Sequence, residues 1–460
     1  MSDPLLIETT CGRVRGMARD GVRLWRGIPY AAVPARFQPP VPAAPWGGEH
    51  DATKYGPVAI QSRDPRIAMM SGVTDTIPMS EDCLSLNIFA PADTALHPVV
   101  VWIHGGAFVM GSGSTPLYDG RSFAVRHGIV VVTFNYRLGL LGFLGGNFAL
   151  QDQVAALAWV KDNIAAFGGD PQRVTVMGES AGASSVAALL VMPSARGLFQ
   201  RAILQSCAIG MTVPTRADAD ALVQRVALPA NASIDAVLAA QTGVVLERGL
   251  SAFAPFVDGV LIPKPPLDAI RAGESAQVPL LLGTCRDEWS LFDVFLGPGA
   301  GLGLQGPLRA VLGDRLDALL AAYGGAWTEL IGDLVFRIPT IRIAEAQPTP
   351  SYLFRFDWRS PAMGGALGAA HAMELPFVWN KLDFPASQIL IGGDTAGAQP
   401  LATAMHDTWA AFIQTGDPNG AGLPTWPVYD VRRSTMLLDR SPALVDDPDG
   451  DRRAQWDGLF

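Results

Sequence analysis

Gly178-Glu179-Ser180-Ala181-Gly182 is a G-x-S-x-G pentapeptide set between the apolar run VTVM and a helical pattern from Ala183 to Met192. A serine between strand and helix in this pattern sits on a strained turn. Small flanking residues let the backbone fold tightly, and the hydroxyl is held out over the sheet beside a helix N-terminus. That placement suits a nucleophile for acyl transfer. Gly273-Glu274-Ser275-Ala276-Gln277 repeats the first four letters, yet it precedes a strand and lacks the closing glycine, so Ser275 reads as a loop serine.

A serine hydroxyl needs a base, and on a sheet of this kind the chain order is serine, acid, histidine. Of the six histidines, His50, His97, His104 and His127 precede Ser180, and His406 falls on a helical face with Met405, Trp409 and Phe412. His371 remains, in the small-residue loop GAAHAME after the run SYLFRF. An acid to orient it is expected after the strand VPLLLG, where Asp287 and Glu288 are adjacent and the residues alone do not choose between them. Charge that develops on the attacked carbonyl oxygen needs fixed backbone donors. His104-Gly105-Gly106-Ala107-Phe108, directly after PVVVWI, is similar to the HGGG-type loop that supplies them, with the amide of Ala181 as a further donor.

The elements that must position these residues follow from apolar periodicity. Pro98 to Ile103, Ile129 to Phe134 and Val174 to Met177 are short continuous β-branched runs, as strands buried on both faces of a parallel sheet require. Asp152 to Phe167 carries helical spacing and ends at Gly168-Gly169-Asp170-Pro171, which makes it a crossover helix. Val278 to Gly283 and Ser351 to Phe356 predict further strands, and Thr403 to Thr415 a closing helix. The fold class is therefore α/β, a single domain over residues 1–460 with a large, mostly parallel sheet flanked by helices. Stretches near 60–82, 210–275 and 297–345 read as cap or gorge insertions. Gly301-Leu302-Gly303-Leu304-Gln305-Gly306 fits G-x-G-x-x-G, but it follows no strand and is expected to be a mobile cap loop, not a dinucleotide cradle.

Composition narrows the partners. Hydrophobic residues are 49% and charged residues 17%, enough for a packed core and too little charge for intrinsic disorder. A formal net charge of -9 without clustered Lys and Arg argues against nucleic acid. The apolar runs are far shorter than the ~18 residues a membrane helix needs. The N-terminus lacks a signal-like basic and apolar region, which points to the cytoplasm. Four separated cysteines form no C-x-x-C pair, H-E-x-x-H and Walker A patterns are absent, and neither metal nor other cofactor is expected. Asn231-Ala232-Ser233 has the form of a glycosylation acceptor, without meaning in an unsecreted chain.

Further motifs surround this core: EDCLSLN at 81–87, NYRLG at 135–139, FGGDP at 167–171, HAMELPFV at 371–378, and Trp409-x-x-Phe412 with GDPN. Together with HGGAF, GESAG and Asp287-Glu288 they resemble the type-B carboxylesterases, the group of cholinesterases and bacterial para-nitrobenzyl esterases. The resemblance runs over nearly the whole chain. It implies an α/β-hydrolase fold, a Ser180–Glu288–His371 triad with Glu288 as acid, and oxyanion donors at Gly106, Ala107 and Ala181. It also implies that Ser206 hydrogen-bonds the acid and that Arg36, Glu81 and Arg137 form a buried ion-pair set. The chain departs from the pattern in two places. Ala59 stands where secreted members have the disulfide partner of the cysteine matching Cys83, which leaves Met69 and Met70 on a less constrained loop. Trp289 replaces a common glycine, either narrowing the acyl side with Phe292 and Phe295 or packing in the core.

The expected activity is hydrolysis of short or medium acyl esters and aryl esters through an acyl-enzyme. Amidase, lactonase and polyester-hydrolase activities on the same triad are alternatives, and a non-catalytic cholinesterase-like binding protein is the alternative from another class. The expected partner is a small-molecule ester. Monomer and homodimer are not distinguished by the sequence.

Overall fold

The computed structural model describes residues 3–63, 77–209, 213–249, 252–297, 299, 301–420 and 422–459. Met69 and Met70 lie outside them. The chain divides into two compact units, one of residues 1–203 and 213–278, the other of 204–212 and 279–460.

In the first unit six strands form a sheet. They are β1 (Met17–Arg19), β2 (Val22–Pro29), β3 (Ser85–Pro91), β4 (His97–Ile103), β5 (Val130–Phe134) and β6 (Gly169–Glu179), in the order β1-β2-β3-β5-β4-β6. The strands β5, β4 and β6 run parallel, while β3 is antiparallel to both β5 and β2. From Val99 through Ile103 and Val130 through Phe134 every side chain is buried, as continuous β-branched runs covered on both faces must be. Helix α1 (Phe148–Asn163) is the crossover between β5 and β6, and a 3₁₀ turn at Ile164–Phe167 and left-handed Gly168 end it. Helix α2 (Ala181–Val191) follows β6 at once and is buried throughout. The stretch near 210–275 is helical over Arg216–Val226, Ile234–Arg248 and Pro266–Arg271.

Strand β7 (Arg201–Gln205) carries the chain from one unit into the other. In the second unit β8 (Leu280–Cys285), β9 (Ser351–Phe356) and β10 (Ser434–Leu438) are parallel neighbours, with β11 (Ala443–Asp446) antiparallel at the end. Helices α3 (Ser290–Leu296) and α4 (Trp327–Gly332) lie between β8 and β9 in the chain, and α5 (Thr395–Thr415) is the closing helix. The glycine-rich run expected as a loop is instead a 3₁₀ turn, Leu302–Leu304, leading into the helix Gln305–Leu312. Among the described residues the element before it is helix α3, so the strand–turn–helix of a dinucleotide cradle is not what they form.

Candidate active site

The turn at Ser180 is set by backbone sterics. Ser180 has φ 56° and ψ −120°, a strained conformation for a residue with a side chain. A Cβ on Gly182 would lie 2.0 Å from the Ile103 carbonyl oxygen, and one on Gly178 would lie 2.4 Å from the Gly182 carbonyl carbon. Only glycine fits at either flank. The Ser180 carbonyl accepts the Ser184 amide and hydroxyl, which ties the turn to the start of α2. Ser180 is partly exposed between an all-buried strand end and an all-buried helix. As the first helical residue, Ala181 has no carbonyl one turn back in its own helix to receive its N–H.

The loop after β4 passes against this turn. A Cβ on Gly105 would meet the Glu179 carboxylate at 2.6 Å and Ser180 Cβ at 3.2 Å, so the backbone there is as close as it can be. Gly106, Ala107 and Phe108 all have positive φ, at 109°, 51° and 59°. The Gly106 carbonyl turns back to accept the amides of Val109 and Met110, and the Phe108 carbonyl accepts that of Gly139. His104 is buried with its ring stacked on Tyr136 at 4.4 Å, and the Tyr136 hydroxyl donates to the His104 carbonyl. Burial pushes the His104 pKa down to about 4, so this imidazole is neutral and braces the loop.

In the second unit His371 and Glu288 are both buried, and His371 Nδ1 lies 2.6 Å from Glu288 Oε2. Glu288 Oε1 accepts two further hydrogen bonds, from the Ser206 hydroxyl at 2.6 Å and the Cys285 amide at 2.7 Å. Three donors surround the Glu288 carboxylate, and its bond to Nδ1 leaves Nε2 as the ring's proton acceptor. Asp287 faces elsewhere: it accepts the Ala369 amide at 2.9 Å and pairs with Arg359, anchoring the loop that leads to His371. The two carboxylates that the residues left open thus have different partners.

Sequence reasoning gave no role to a second buried carboxyl. Glu374 accepts Gln205 Nε2 at 2.9 Å and the Cys285 thiol at 3.1 Å, and Gln205 Oε1 accepts the Trp409 indole N–H at 3.1 Å. Burial raises the Glu374 pKa above the carboxylate norm. The i, i+3 spacing of His371 and Glu374 was the available signal. Phe336 and Phe292 press on the His371 ring, at centroid distances of 4.7 and 5.3 Å. Trp289 is buried with its ring 4.8 Å from Phe292, while Phe295 is only half-buried.

Other residues have structural roles. His406 is buried on α5 with Nδ1 2.8 Å from the Val378 carbonyl, and Ser275 sits in a bend before β8. The expected ion-pair set is corrected. Arg36 pairs with Glu81 in a partly exposed bridge, whereas Arg137 makes a buried two-pronged pair with Asp152 on α1. The guanidinium fork matches that carboxylate in plane. The four cysteines are free thiols. Among the described residues no His, Cys, Asp and Glu group of three or more could hold a metal ion, and no helix is long and apolar enough to cross a membrane.

The sequence profile of the carboxylesterase family matches residues 3–301 and 317–453. The para-nitrobenzyl esterase of Bacillus subtilis (strain 168) is 37% identical over 482 residues, covering 97% of each chain. The phenmedipham hydrolase of Pseudarthrobacter oxydans is 36% identical and covers 94% of each. Among solved structures, a thermophilic PNB esterase superposes with TM-score 0.89 at 35% identity over the whole of both chains. A Geobacillus stearothermophilus carboxylesterase does so with TM-score 0.86 at 36% identity, over 98% of this chain and 100% of its own. With an elbow serine, a glycine loop laid against it and a carboxylate-bound histidine on an α/β scaffold, this chain belongs to the carboxylesterase family, a carboxylic-ester hydrolase of the α/β-hydrolase fold.

Proposed function

We propose that Ser180 is the nucleophile, His371 the general base and Glu288 the acid that orients it. The amides of Gly106, Ala107 and Ala181 then receive the oxyanion, and Ser206 holds Glu288. The observation that carries this reading is the 2.6 Å contact of His371 Nδ1 with a Glu288 carboxylate that already accepts two other donors. That contact fixes the tautomer, so Nε2 can take the Ser180 proton. The proton passes to the departing alcohol, and His371 then activates the water that clears the acyl group. The aromatic faces of Phe292 and Phe336 beside the base suit uncharged short or medium acyl chains and aryl esters. The catalytic domain spans the whole chain, with the 60–82, 210–275 and 297–345 stretches as insertions. A cytoplasmic location accords with the free, buried Cys83 and with Ala59 in place of a disulfide partner.

The test is hydrolysis of p-nitrophenyl butyrate by wild type and Ser180→Ala, with organophosphate labelling of the protein followed by peptide mapping. Stoichiometric label on Ser180 and loss of nearly all activity in the alanine variant are expected. An active Ser180→Ala variant together with unlabelled wild type would end the proposal.

A further inference from the structure

Three buried polar atoms near the proposed base have no hydrogen-bond partner: Trp289 Nε1, Trp327 Nε1 and Asp293 Oδ1. A buried donor left without an acceptor is costly, so native proteins seldom leave one unfilled. These three belong to one small region. A Cβ built on Gly301 would lie 3.0 Å from Trp289 Nε1 and 3.2 Å from Trp327 Nε1, so both indole nitrogens converge on one point. Asp293 stands one turn along from Trp289, its amide donating to the Trp289 carbonyl. Its Oδ2 accepts the hydroxyl of Thr328, the neighbour of Trp327, and so clamps α3 to α4. Trp327 also lines a cavity of about 290 Å³ with Gln305, Arg309, Leu316 and Leu320.

The region is linked to the base by packed rings. The Trp289 ring lies 4.8 Å from that of Phe292, and Phe292 lies 5.3 Å from that of His371. Two convergent N–H donors behind an aromatic wall match an oxygen acceptor on a substrate arm that extends past Phe292. The neighbouring Asp293 carboxylate disfavours an anion there, which leaves a neutral carbonyl.

We propose that Trp289 and Trp327 form a specificity subsite for a second, neutral carbonyl of the substrate, such as that of a diester or an ester-amide. The proposal rests on the assignment of Ser180 and His371 as the hydrolytic pair. Glycine at 301 is part of the subsite: its φ of −81° is open to any residue, so what glycine supplies there is space before the two donors.

The test compares p-nitrophenyl methyl glutarate with p-nitrophenyl heptanoate, which has the same chain length without the second carbonyl. Trp289→Phe and Trp327→Phe each remove one N–H and keep an aromatic ring. Gly301→Ala puts a methyl group in front of both. Wild type is expected to prefer the glutarate ester. Each variant should lower kcat/KM for it by about three- to tenfold, the effect of one hydrogen bond, with less than a twofold change on heptanoate. Thermal stability of the Phe variants should not fall, because the lost donors were unsatisfied. A parallel pair, 4-acetylphenyl and 4-isopropylphenyl butyrate, places the carbonyl in the alcohol arm, and selectivity in either arm supports the subsite. Equal losses on both members of each pair, or no wild-type preference in either arm, overturn it. A wild type that hydrolyses none of the four esters and takes no label at Ser180 instead refutes the hydrolytic assignment beneath it.

Discussion

Replacing Glu288 with glutamine tests the proposed relay with almost no change in volume. Its consequence follows from the three hydrogen bonds around the carboxylate. Oε1 accepts from the Ser206 hydroxyl and from the Cys285 amide, and the second of these can only donate. The glutamine oxygen must therefore stay at the Oε1 position, because an NH₂ group there would face a backbone N–H. Its nitrogen then occupies the Oε2 position, 2.6 Å from His371 Nδ1 in the native site. There it donates, Nδ1 becomes the acceptor, and the ring proton moves to Nε2, where it can no longer receive a proton from serine. A wrong tautomer in a relay of this kind lowers kcat by ~10⁴, or about 5 kcal/mol of transition-state stabilisation. Initial rates with p-nitrophenyl butyrate, normalised by organophosphate titration and accompanied by thermal melting, measure the effect. Asp287→Asn is the comparison: it weakens a loop anchor to Ala369 and should cost less than tenfold. A Glu288→Gln enzyme within tenfold of wild type, or a larger loss in Asp287→Asn, would refute the reasoning.

Ser206→Ala removes one of the two donors to Glu288 Oε1. A hydrogen bond to a charged group contributes about 1.5–3 kcal/mol, so kcat should fall ~10- to 100-fold with KM nearly constant, and an unchanged kcat would remove Ser206 from the relay. Gly182→Ala forces a Cβ to within 2.0 Å of the Ile103 carbonyl, backbone against backbone, where no rotamer offers relief. Its unfolding free energy, measured by urea titration, should drop by the upper part of the ~1–3 kcal/mol range for overpacking, and an unchanged value would contradict the described turn. His104 carries a pH dependence. Its pKa is about 4 in the fold against 6.5 in the open chain, so its contribution is full above pH 6.5 and is lost as pH falls towards 4, about 3 kcal/mol in all. Melting temperatures between pH 4 and 7.5 should decline more steeply in wild type than in His104→Gln, and parallel curves would refute a buried neutral imidazole.

Much of the fold was legible because central strands need continuous apolar runs. Ser351–Phe356 keeps its expected bounds, and β4 and β5 shift by one residue each. Departures have local causes. Strand β6 begins at Gly169 instead of Val174 because Gly169 pairs with His97 ahead of a register shift. Helix α5 starts at Thr395, eight residues before Thr403, with Asp394 capping the Gly397 amide. Pro400 lies inside that helix. The elbow and the loop at 104–108 were readable because each is one short segment after one strand. The acid was not readable from residues alone, since Asp287 and Glu288 differ only in the direction a single turn gives them. Glu374 was hidden for another reason: its partners Gln205 and Cys285 lie 169 and 89 positions away, and no periodicity connects them. Arg137 was assigned to the wrong carboxylate because Asp152 lies on a helix whose register against Arg137 only the fold fixes.

The strained backbone of this chain has a chemical logic. Ala107, Phe108, Ser180, Ser206 and Ala372 all have positive φ with side chains attached, at roughly 1–3 kcal/mol each. Each carries or adjoins a group whose direction matters: a loop amide, the elbow hydroxyl, the hydroxyl bonded to Glu288, and the imidazole of His371. Glycine at 180 or 206 would relieve the strain and delete the oxygen that the proposed mechanism uses there. The cost is tolerable because the surroundings are rigid: β4 and β6 are buried along their central lengths, α2 is buried along all of it, and Gly178 and Gly182 leave no room for the turn to relax. Donors fixed before charge develops need no reorganisation when it does. On the proposed assignment the buried helix and strands on either side of the elbow contribute to the rate by holding a backbone shape that a free chain would abandon.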